Sequence, residues 1–449
     1  MKLTVLGGGG VRTPLLIRGL LARQDELHVD ELVLLDPDRQ ALDLMGHLVS
    51  EAVARAGSPF RLRFTQNEAE AVEGADFVLS TLRVGGIQAR ILDEQVGFRH
   101  GVLGQETVGA GGFAYALRSI PVMLRYADLI GRLAPTAWLI NFSNPAGLIT
   151  EALTRYGGIK AFGICDTPPS TLKALAQMLG VPFAQLRPEY LGLNHLGWFR
   201  ALHYQGRDLM PEVLARAEEL RGLEELSMFD PGLIRTLGMV PTEYLYFFYY
   251  RDRVLANMKA SGKTRGEVIL DQNRRFFQAM AAAHSGGAES YWPTYYQYLT
   301  ERQGTYMRAE SGAGGQAEAH PEQEGYEGVA LGMMTSIVLG QNRVMIANVP
   351  NRDSIPDLGE HDVVEVPCTL TASGPVPLTA GRLPAHGAGL VQTIKAYERL
   401  TVEAAVEGSR SKALAALTIH PLVGSYPLAE AVLDDYLAAH SAYLPQFQR

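Results

Sequence analysis

The chain has 449 residues, 47% hydrophobic and 20% charged, with a formal net charge of −8. That length provides for two or three domains with cores of their own, the composition argues against extensive disorder, and an acidic chain without a basic stripe is poorly suited to non-specific nucleic-acid binding. Two cysteines in so long a chain make no disulfide framework and point to the cytosol, and no apolar run is long enough for a bilayer.

In chain order, Met1 to Leu6 enters a strand without a basic leader or cleavage site, and Leu3–Leu6 breaks into Gly7-Gly8-Gly9-Gly10. Thr13-Pro14 then offers an N-cap and a first-turn proline, with Leu15, Leu16, Gly19 and Leu20 at helical spacing behind it. Glu31–Asp36 reads as a second buried strand, followed by a helix through Ala41, Leu44, Leu48 and Val53. Arg61–Thr65 and Ala75–Leu82 are the next candidate strands. A helix over Phe113–Leu133, a strand Ala137–Phe142, a helix from Pro145 and a strand Lys160–Ile164 complete the alternation. This pattern predicts a parallel sheet covered on both faces.

The four glycines lie between strand and helix, where the backbone can approach a pyrophosphate and the helix N-terminus favours its charge. The spacing departs from G-x-G-x-x-G, because Gly7 and Gly9 would require a third glycine where Arg12 stands. Asp36 ends the second strand, where a carboxylate accepts hydrogen bonds from ribose hydroxyls and repels a 2′-phosphate. Gly7, Gly8, Gly9, Gly10 and Asp36 are therefore the candidate dinucleotide contacts, with NAD expected rather than NADP. A turn-forming Asp before Pro37 is the competing reading, and it leaves the glycines unexplained.

Beyond about residue 170 the pattern changes, which suggests a nucleotide-binding domain over 1–170 and an α+β substrate and metal-binding domain over 171–449. Tyr190–Tyr204 reads as extended, and 211–221, 241–258 and 264–284 as helices. The polar, glycine-rich stretch Arg308–Gly328 reads as a mobile surface loop or lid. Strands over Val344–Val349 and Val363–Leu370 and helices near 387–407, 409–417 and 427–440 close the chain.

Cys165, in Gly-Ile-Cys-Asp-Thr-Pro, and His195, in Gly-Leu-Asn-His-Leu-Gly-Trp, offer a thiolate and an imidazole just beyond the nucleotide-binding half. Together they suggest a divalent metal beside the dinucleotide. A buried free thiol and a satisfied core histidine are the competing readings. Cys368 is read as a buried structural thiol, and His203 and His284 as ordinary histidines.

The other strand endings carry Arg83-Val-Gly-Gly, Gly104-Gln-Glu-Thr before Gly111-Gly112, Asn141-Phe-Ser-Asn-Pro145, and later Val240-Pro-Thr-Glu-Tyr244. With Cys165-Asp166 and Asn194-His195, this ordered set resembles the family 4 glycoside hydrolases over nearly the whole chain. These are NAD- and metal-dependent glycosidases outside the two-carboxylate scheme, and the chain looks most like their 6-phospho-β-glucosidase branch. The resemblance implies a Rossmann-like parallel-sheet domain followed by an α+β substrate domain, as in lactate and malate dehydrogenases. It also implies a reaction in which NAD⁺ takes hydride from C3 of the sugar and a base removes the acidified C2 proton. The glycosidic oxygen then leaves C1, water adds, and the hydride returns.

In that scheme Cys165 and His195 hold the metal, commonly Mn²⁺, although a thiolate by softness prefers zinc or another later metal. Tyr244 is the C2 base, which needs a nearby cation to favour its phenolate, and Arg99 occupies a position that tunes it. Arg83, Asn144 and Arg265 fall at substrate-binding positions, the arginines being suited to a C6 phosphate. Several alternatives stay open. Tyr244 would otherwise belong to an apolar stripe with Phe247 and Phe248, and Tyr246, Tyr249 or Tyr250 could supply the hydroxyl instead. Arg265 lies in the polar run Gly262-Lys-Thr-Arg-Gly-Glu and could be a solvated surface residue. Asp166 matches an acid that protonates the leaving oxygen in some branches, whereas known β-branch members carry Asn there; it could instead cap the following helix. Glu106 and Thr107 would order the pocket floor without a chemical step.

The expected enzyme is cytoplasmic, acts on a phosphorylated disaccharide or β-glucoside, and forms a homodimer or homotetramer. A glycosidase for α-linked, unphosphorylated or uronic sugars is the alternative within the family. Leu196 after Asn194-His195 and the Asp166-Thr-Pro phrase count against it. An NAD-dependent 2-hydroxy acid dehydrogenase is the alternative from another class, but it would need no metal thiolate. A non-catalytic NAD-binding sensor would not need Cys165, His195 and Tyr244 together.

Overall fold

The computed structural model describes residues 1–286, 289–312 and 325–448. Six strands, β1 (Lys2–Leu6), β2 (Glu31–Leu35), β3 (Arg61–Thr65), β4 (Phe77–Ser80), β5 (Trp138–Asn141) and β6 (Lys160–Gly163), form a parallel sheet in the order 3-2-1-4-5-6. Leu3, Val5, Leu32–Leu34, Val78, Leu79, Leu139 and Ile140 are fully enclosed, as expected for strands covered by helices on both faces. The order reverses direction between β1 and β4, so a crevice opens beyond the carboxyl ends of those two strands.

The second half adds to this sheet. β11 (Arg343–Pro350), β12 (Val363–Thr371) and β13 (Gly374–Pro377) continue it antiparallel beyond β6, joined through Asn348 opposite Gly163. A smaller sheet is built on the hairpin of β7 (Arg187–Leu193) and β8 (Leu196–Tyr204), with β9 (Arg207–Asp208) and β10 (Val240–Pro241) on β8. The region read as merely extended over 190–204 is thus a hairpin, and its two-residue turn is Asn194-His195, with His195 at φ 62°. Glu365 of β12 ties the hairpin to the large sheet by accepting from Tyr190 Oη (2.7 Å) and Asn194 Nδ2 (3.0 Å).

Several local expectations change. The helix Thr13–Ala22 starts on Arg12, not on a Thr13 cap, and has no side-chain cap bond. A helix over Gly86–His100 has no counterpart in the sequence reading, and 241–258 breaks into β10, a single 3₁₀ turn and the helices Tyr246–Tyr249 and Arg251–Ser261. Of the expected loop 308–328, Arg308–Ser311 is a helical turn and a helix begins at Tyr326; residues 313–324 lie outside the described residues. Among the described residues no helix is long and apolar enough to cross a membrane.

Candidate active site

β1 delivers Gly7 at φ 91°, a left-handed conformation that a side chain would strain. A Cβ on Gly8 would lie 2.7 Å from that of Leu34. The Gly9 amide donates to Asp36 Oδ2 (2.9 Å) and the Asp38 amide to Asp36 Oδ1 (2.9 Å). Burial raises the Asp36 pKa, against the pull of those two amides. Asp36 therefore shapes the glycine loop from the end of β2, the place where a ribose-binding carboxylate belongs. Arg12, at the missing third glycine, pairs with Asp166 across the crevice (3.4 Å).

Of the two residues expected to hold a metal, His195 has its ring orientation and proton set by neighbouring side chains. Gln105 Oε1 accepts from the amides of Thr107 and Val108 (both 2.7 Å) and from Thr107 Oγ1 (2.9 Å). Thr107 therefore has spent its proton, and its oxygen must accept the 2.8 Å hydrogen bond shared with His195 Nδ1. That places the imidazole proton on Nδ1 and leaves the Nε2 lone pair for a metal. Burial lowers the His195 pKa to about 3, although nearby Glu106 pulls it up, so the ring is neutral.

Cys165 follows β6 and is buried. Burial first, then Glu365 and Asp166, hold its thiol well above the ordinary range, while the Thr167 amide and hydroxyl oppose this. Among the described residues no group of three or more His, Cys, Asp or Glu is placed to hold a metal ion; Cys165 and His195 are the two expected to do so. The surroundings fit a divalent cation. Burial raises Glu243 to about 8 and Glu365 to about 6, and it takes Tyr244 well above its ordinary value. A cation between thiol and imidazole supplies the positive charge this acidic set lacks.

The Tyr244 ring lies flat on the His195 ring, centroids 3.7 Å apart and planes 6° from parallel. Its hydroxyl is 3.0 Å from that of Tyr306, which donates to Glu243 Oε1 (2.8 Å). Thr167 Oγ1 donates to the same carboxylate oxygen (3.2 Å). The alternative hydroxyls are engaged elsewhere: Tyr249 Oη accepts from Trp198 Nε1 (3.1 Å) and Tyr250 Oη donates to Asp230 (3.1 Å), while the Tyr246 ring packs against Phe229 and Tyr250. Tyr244 is thus the tyrosine that meets His195.

Arginines line the rest of the pocket. Arg83 and Arg90 both pair with Glu106 (2.7 and 2.8 Å), and Arg90 also pairs with Glu94 (2.8 Å). Burial alone would raise Glu106, but the two guanidiniums override it and take its pKa down to about 2. Arg265 is buried rather than solvated. It stands at the first turn of the helix Arg265–Ser285, behind a capping box formed by Thr264 and Glu267, and donates to Thr305 Oγ1 (2.6 Å), Thr305 O (3.0 Å) and Arg302 O (3.2 Å). Burial, with Arg302 and Arg90 close by, lowers its pKa to about 10. A buried guanidinium beside Arg302 and Arg90, near Glu310 but with no carboxylate hydrogen-bonded to it among the described residues, is suited to an anionic ligand.

Asn144 is half-buried just past β5, and its peptide bond to Pro145 is cis. Asp166 immediately precedes the helix Thr167–Leu179 but makes no side-chain cap bond, turning to Arg12 instead. Arg99 is corrected. It is largely exposed and pairs with Asp435 (3.2 Å). Arg90 and Arg99 share the helix Gly86–His100, and nine residues at 3.6 per turn is about two and a half turns, which puts them on opposite faces. Arg90 faces the pocket.

The residues match the family profile described as "Family 4 glycosyl hydrolase" over 2–181 and its "Family 4 glycosyl hydrolase C-terminal domain" over 190–423. The chain is 34% identical to a probable 6-phospho-beta-glucosidase of Bacillus subtilis, covering 100% of this chain and 98% of that one. This chain belongs to the family 4 glycosyl hydrolases. A phospho-alpha-glucosidase of Clostridium acetobutylicum is 29% identical over 98% of both chains, so the branches on either side of the anomeric distinction are similar to it. Two solved relatives superpose over nearly their whole length. One is a 6-phospho-alpha-glucosidase from gut microorganisms with NAD and glucose 6-phosphate, with TM-score 0.86, 26% identity and coverage of 99% of this chain and 98% of that one. The other is the Thermotoga maritima 6-phospho-beta-glucosidase with manganese, NAD⁺ and glucose 6-phosphate, with TM-score 0.82, 25% identity and 99% coverage of both. A Plasmodium falciparum malate dehydrogenase, 13% identical, covers 90% of this chain with TM-score 0.51 and shares the fold alone. The Rossmann-like domain followed by an α+β domain, expected from the sequence, is the architecture of this protein.

Proposed function

We propose that this protein is a 6-phospho-β-glucosidase that cleaves its substrate by transient oxidation at C3 and elimination across C1–C2, using NAD and a divalent metal, most readily Mn²⁺. The observation that carries this reading is the Tyr244 ring laid on a His195 whose Nδ1 proton is fixed by Thr107, with the thiol of Cys165 in the same pocket. Bound in this crevice, NAD supplies a reversible hydride acceptor and the metal a Lewis acid for the sugar's C2 and C3 oxygens.

Gly7–Gly10 and the N-terminus of Thr13–Ala22 receive the pyrophosphate, and Asp36 the adenosine ribose. Cys165 and His195 Nε2 hold the metal. Tyr244 takes the C2 proton as phenolate, a state its buried surroundings oppose until a cation is present. Arg265, Arg83 and Asn144 hold the sugar and its C6 phosphate; Glu106 keeps Arg83 extended into the pocket. Asp166 flanks the metal cysteine and, when protonated, hands its proton to the leaving oxygen.

The β reading is supported by the greater identity to the Bacillus subtilis enzyme. A 6-phospho-α-glucosidase is the second reading, favoured by the high TM-score of the gut enzyme. Both cysteines are free and buried, in keeping with a reducing cytoplasm where phosphorylated sugars are found, and the active form is taken to be a homodimer or homotetramer. The deciding experiment is a panel of α- and β-p-nitrophenyl glucosides, with and without a 6-phosphate, assayed with NAD⁺, Mn²⁺ and a reductant. Cleavage confined to the phosphorylated β compound without net NADH is expected. Preference for the α anomer would select the second reading, and steady NADH accumulation from a hydroxy acid would select a dehydrogenase.

A further inference from the structure

The helix Trp292–Gln303 joins two parts of the molecule that the reaction must keep in register. With Arg265–Ser285 it forms a hairpin whose aromatic core is separate from the main one, gathering Phe276, Met280, Trp292, Tyr295 and Tyr298 onto Met45 and Leu48 of the helix Arg39–Arg55. Its first turns are fastened to the nucleotide half. Arg18 lies over the rings of Trp292 and Tyr296 (5.7 and 5.5 Å), and Glu51 accepts from Ser290 Oγ (2.6 Å) and the Tyr291 amide (3.1 Å). Its far end leads to Thr305, which holds Arg265, and to Tyr306, which meets Tyr244.

Between these ends stands Tyr295, fully enclosed. Its hydroxyl donates to the carbonyl of Val11 (2.7 Å), the residue after Gly7–Gly10. The first helical bonds of Thr13–Ala22 run from the Leu15 and Leu16 amides to Arg12 O, so they do not hold that carbonyl. In a trans peptide the C=O and the following N–H point in opposite directions. Fixing Val11 O against the hairpin therefore fixes the Arg12 amide on the other side of the same plane, at the N-terminus of the helix where a pyrophosphate would bind.

We propose that Tyr295 is a positioning residue for the dinucleotide, acting through the Val11–Arg12 peptide to aim the phosphate-binding amides. This rests on the reading of Gly7–Gly10 as the dinucleotide loop. The loop that receives the cofactor and the limb that carries Arg265 and Tyr306 are then set by one helix, which spans about 10 Å from Tyr295 to Arg302 at 1.5 Å per residue.

The test uses the full-length protein and titration calorimetry of NAD⁺, ADP and adenosine against wild type, Tyr295→Phe and Tyr298→Phe. Loss of one buried hydrogen bond should weaken NAD⁺ and ADP about five- to tenfold in Tyr295→Phe, while adenosine, which lacks the phosphates, stays within twofold. Tyr298, whose hydroxyl donates to Asn273 (2.8 Å) and accepts from Arg302 (2.7 Å) with both partners inside the hairpin, is the matched control, and Tyr298→Phe should leave NAD⁺ affinity within twofold. Unchanged NAD⁺ affinity in Tyr295→Phe, an equal loss for adenosine, or an equal loss in Tyr298→Phe would overturn the proposal. A wild type that binds adenosine, ADP and NAD⁺ no better than an unrelated protein would overturn the dinucleotide reading beneath it.

Discussion

Replacing Thr107 by Val keeps the shape of the side chain and removes only the oxygen on which the His195 tautomer depends. The buried imidazole then has two courses. It can keep its proton on Nδ1 with no acceptor, at a cost of about 1–3 kcal/mol for an unsatisfied buried donor. Alternatively it moves the proton to Nε2, which withdraws the lone pair from the metal. Either course weakens the ion, and at about 1.4 kcal/mol per factor of ten the expected loss in Mn²⁺ affinity is about ten- to a hundredfold. The free ion's electron paramagnetic resonance signal, followed as protein is added, reports this affinity directly. Thr107→Ser, which restores the hydroxyl, should bind Mn²⁺ within about threefold of wild type. Mn²⁺ affinity in Thr107→Val within twofold of wild type, or Ser as weak as Val, would refute the tautomer argument.

Other consequences follow from particular contacts. Arg265→Ala should raise KM for a 6-phosphoglucoside far more than for its unphosphorylated analogue; equal effects in steady-state kinetics would remove this residue from phosphate recognition. Arg99→Ala should leave kcat/KM within twofold, because its exposed pair with Asp435 is worth little. Arg90→Ala should lower the urea midpoint markedly by taking the paired guanidinium from buried Glu94 and leaving Glu106 to Arg83 alone; the reverse ranking in kinetics and denaturation would restore Arg99 to the site. His420 is buried, and burial lowers its pKa to about 3. The unfolded chain therefore binds a proton that the folded chain does not between about pH 6.5 and 3, and stability is lost as pH falls through that window. His420→Gln should flatten urea midpoints against pH there by up to about one proton; an unchanged slope would contradict the neutral buried ring.

How much of this was legible in the sequence depended on how local the signal was. β1 to β6 were readable from apolar runs alternating with helices, although Arg61–Thr65 is interrupted by charge. Cys165 stood out just beyond such a run, whereas Asn194 and His195 form the turn of the antiparallel β7–β8 hairpin, read only as extended chain. The helix Gly86–His100 was hidden because its buried face carries Arg90, Asp93 and Glu94, which defeats any apolar period. Arg99 was carried over from the resemblance, and without that helix nothing in the sequence showed that it lies on the face opposite Arg90. β11 and β12 were visible as strands and β13 was not, and nothing local marks any of them as an extension of a sheet whose last parallel strand ends some 180 residues before β11. Thr264-x-x-Glu267 did announce a helix start, and weighing that capping box would have separated Arg265 from a solvated turn. Tyr306 carried no comparable signal, since its hydrogen bonds to Tyr244 and Glu243 span more than sixty residues and exist only in the fold.

The central claim is that cleavage passes through loss of the C2 proton to Tyr244. Turnover of a 6-phospho-β-glucoside in heavy water, with the glucose 6-phosphate product read by NMR, tests it most directly. The account predicts deuterium at C2 with wild type, and no such product with a Tyr244→Phe variant that still binds NAD⁺. Product fully protonated at C2, or undiminished turnover by Tyr244→Phe, would contradict it.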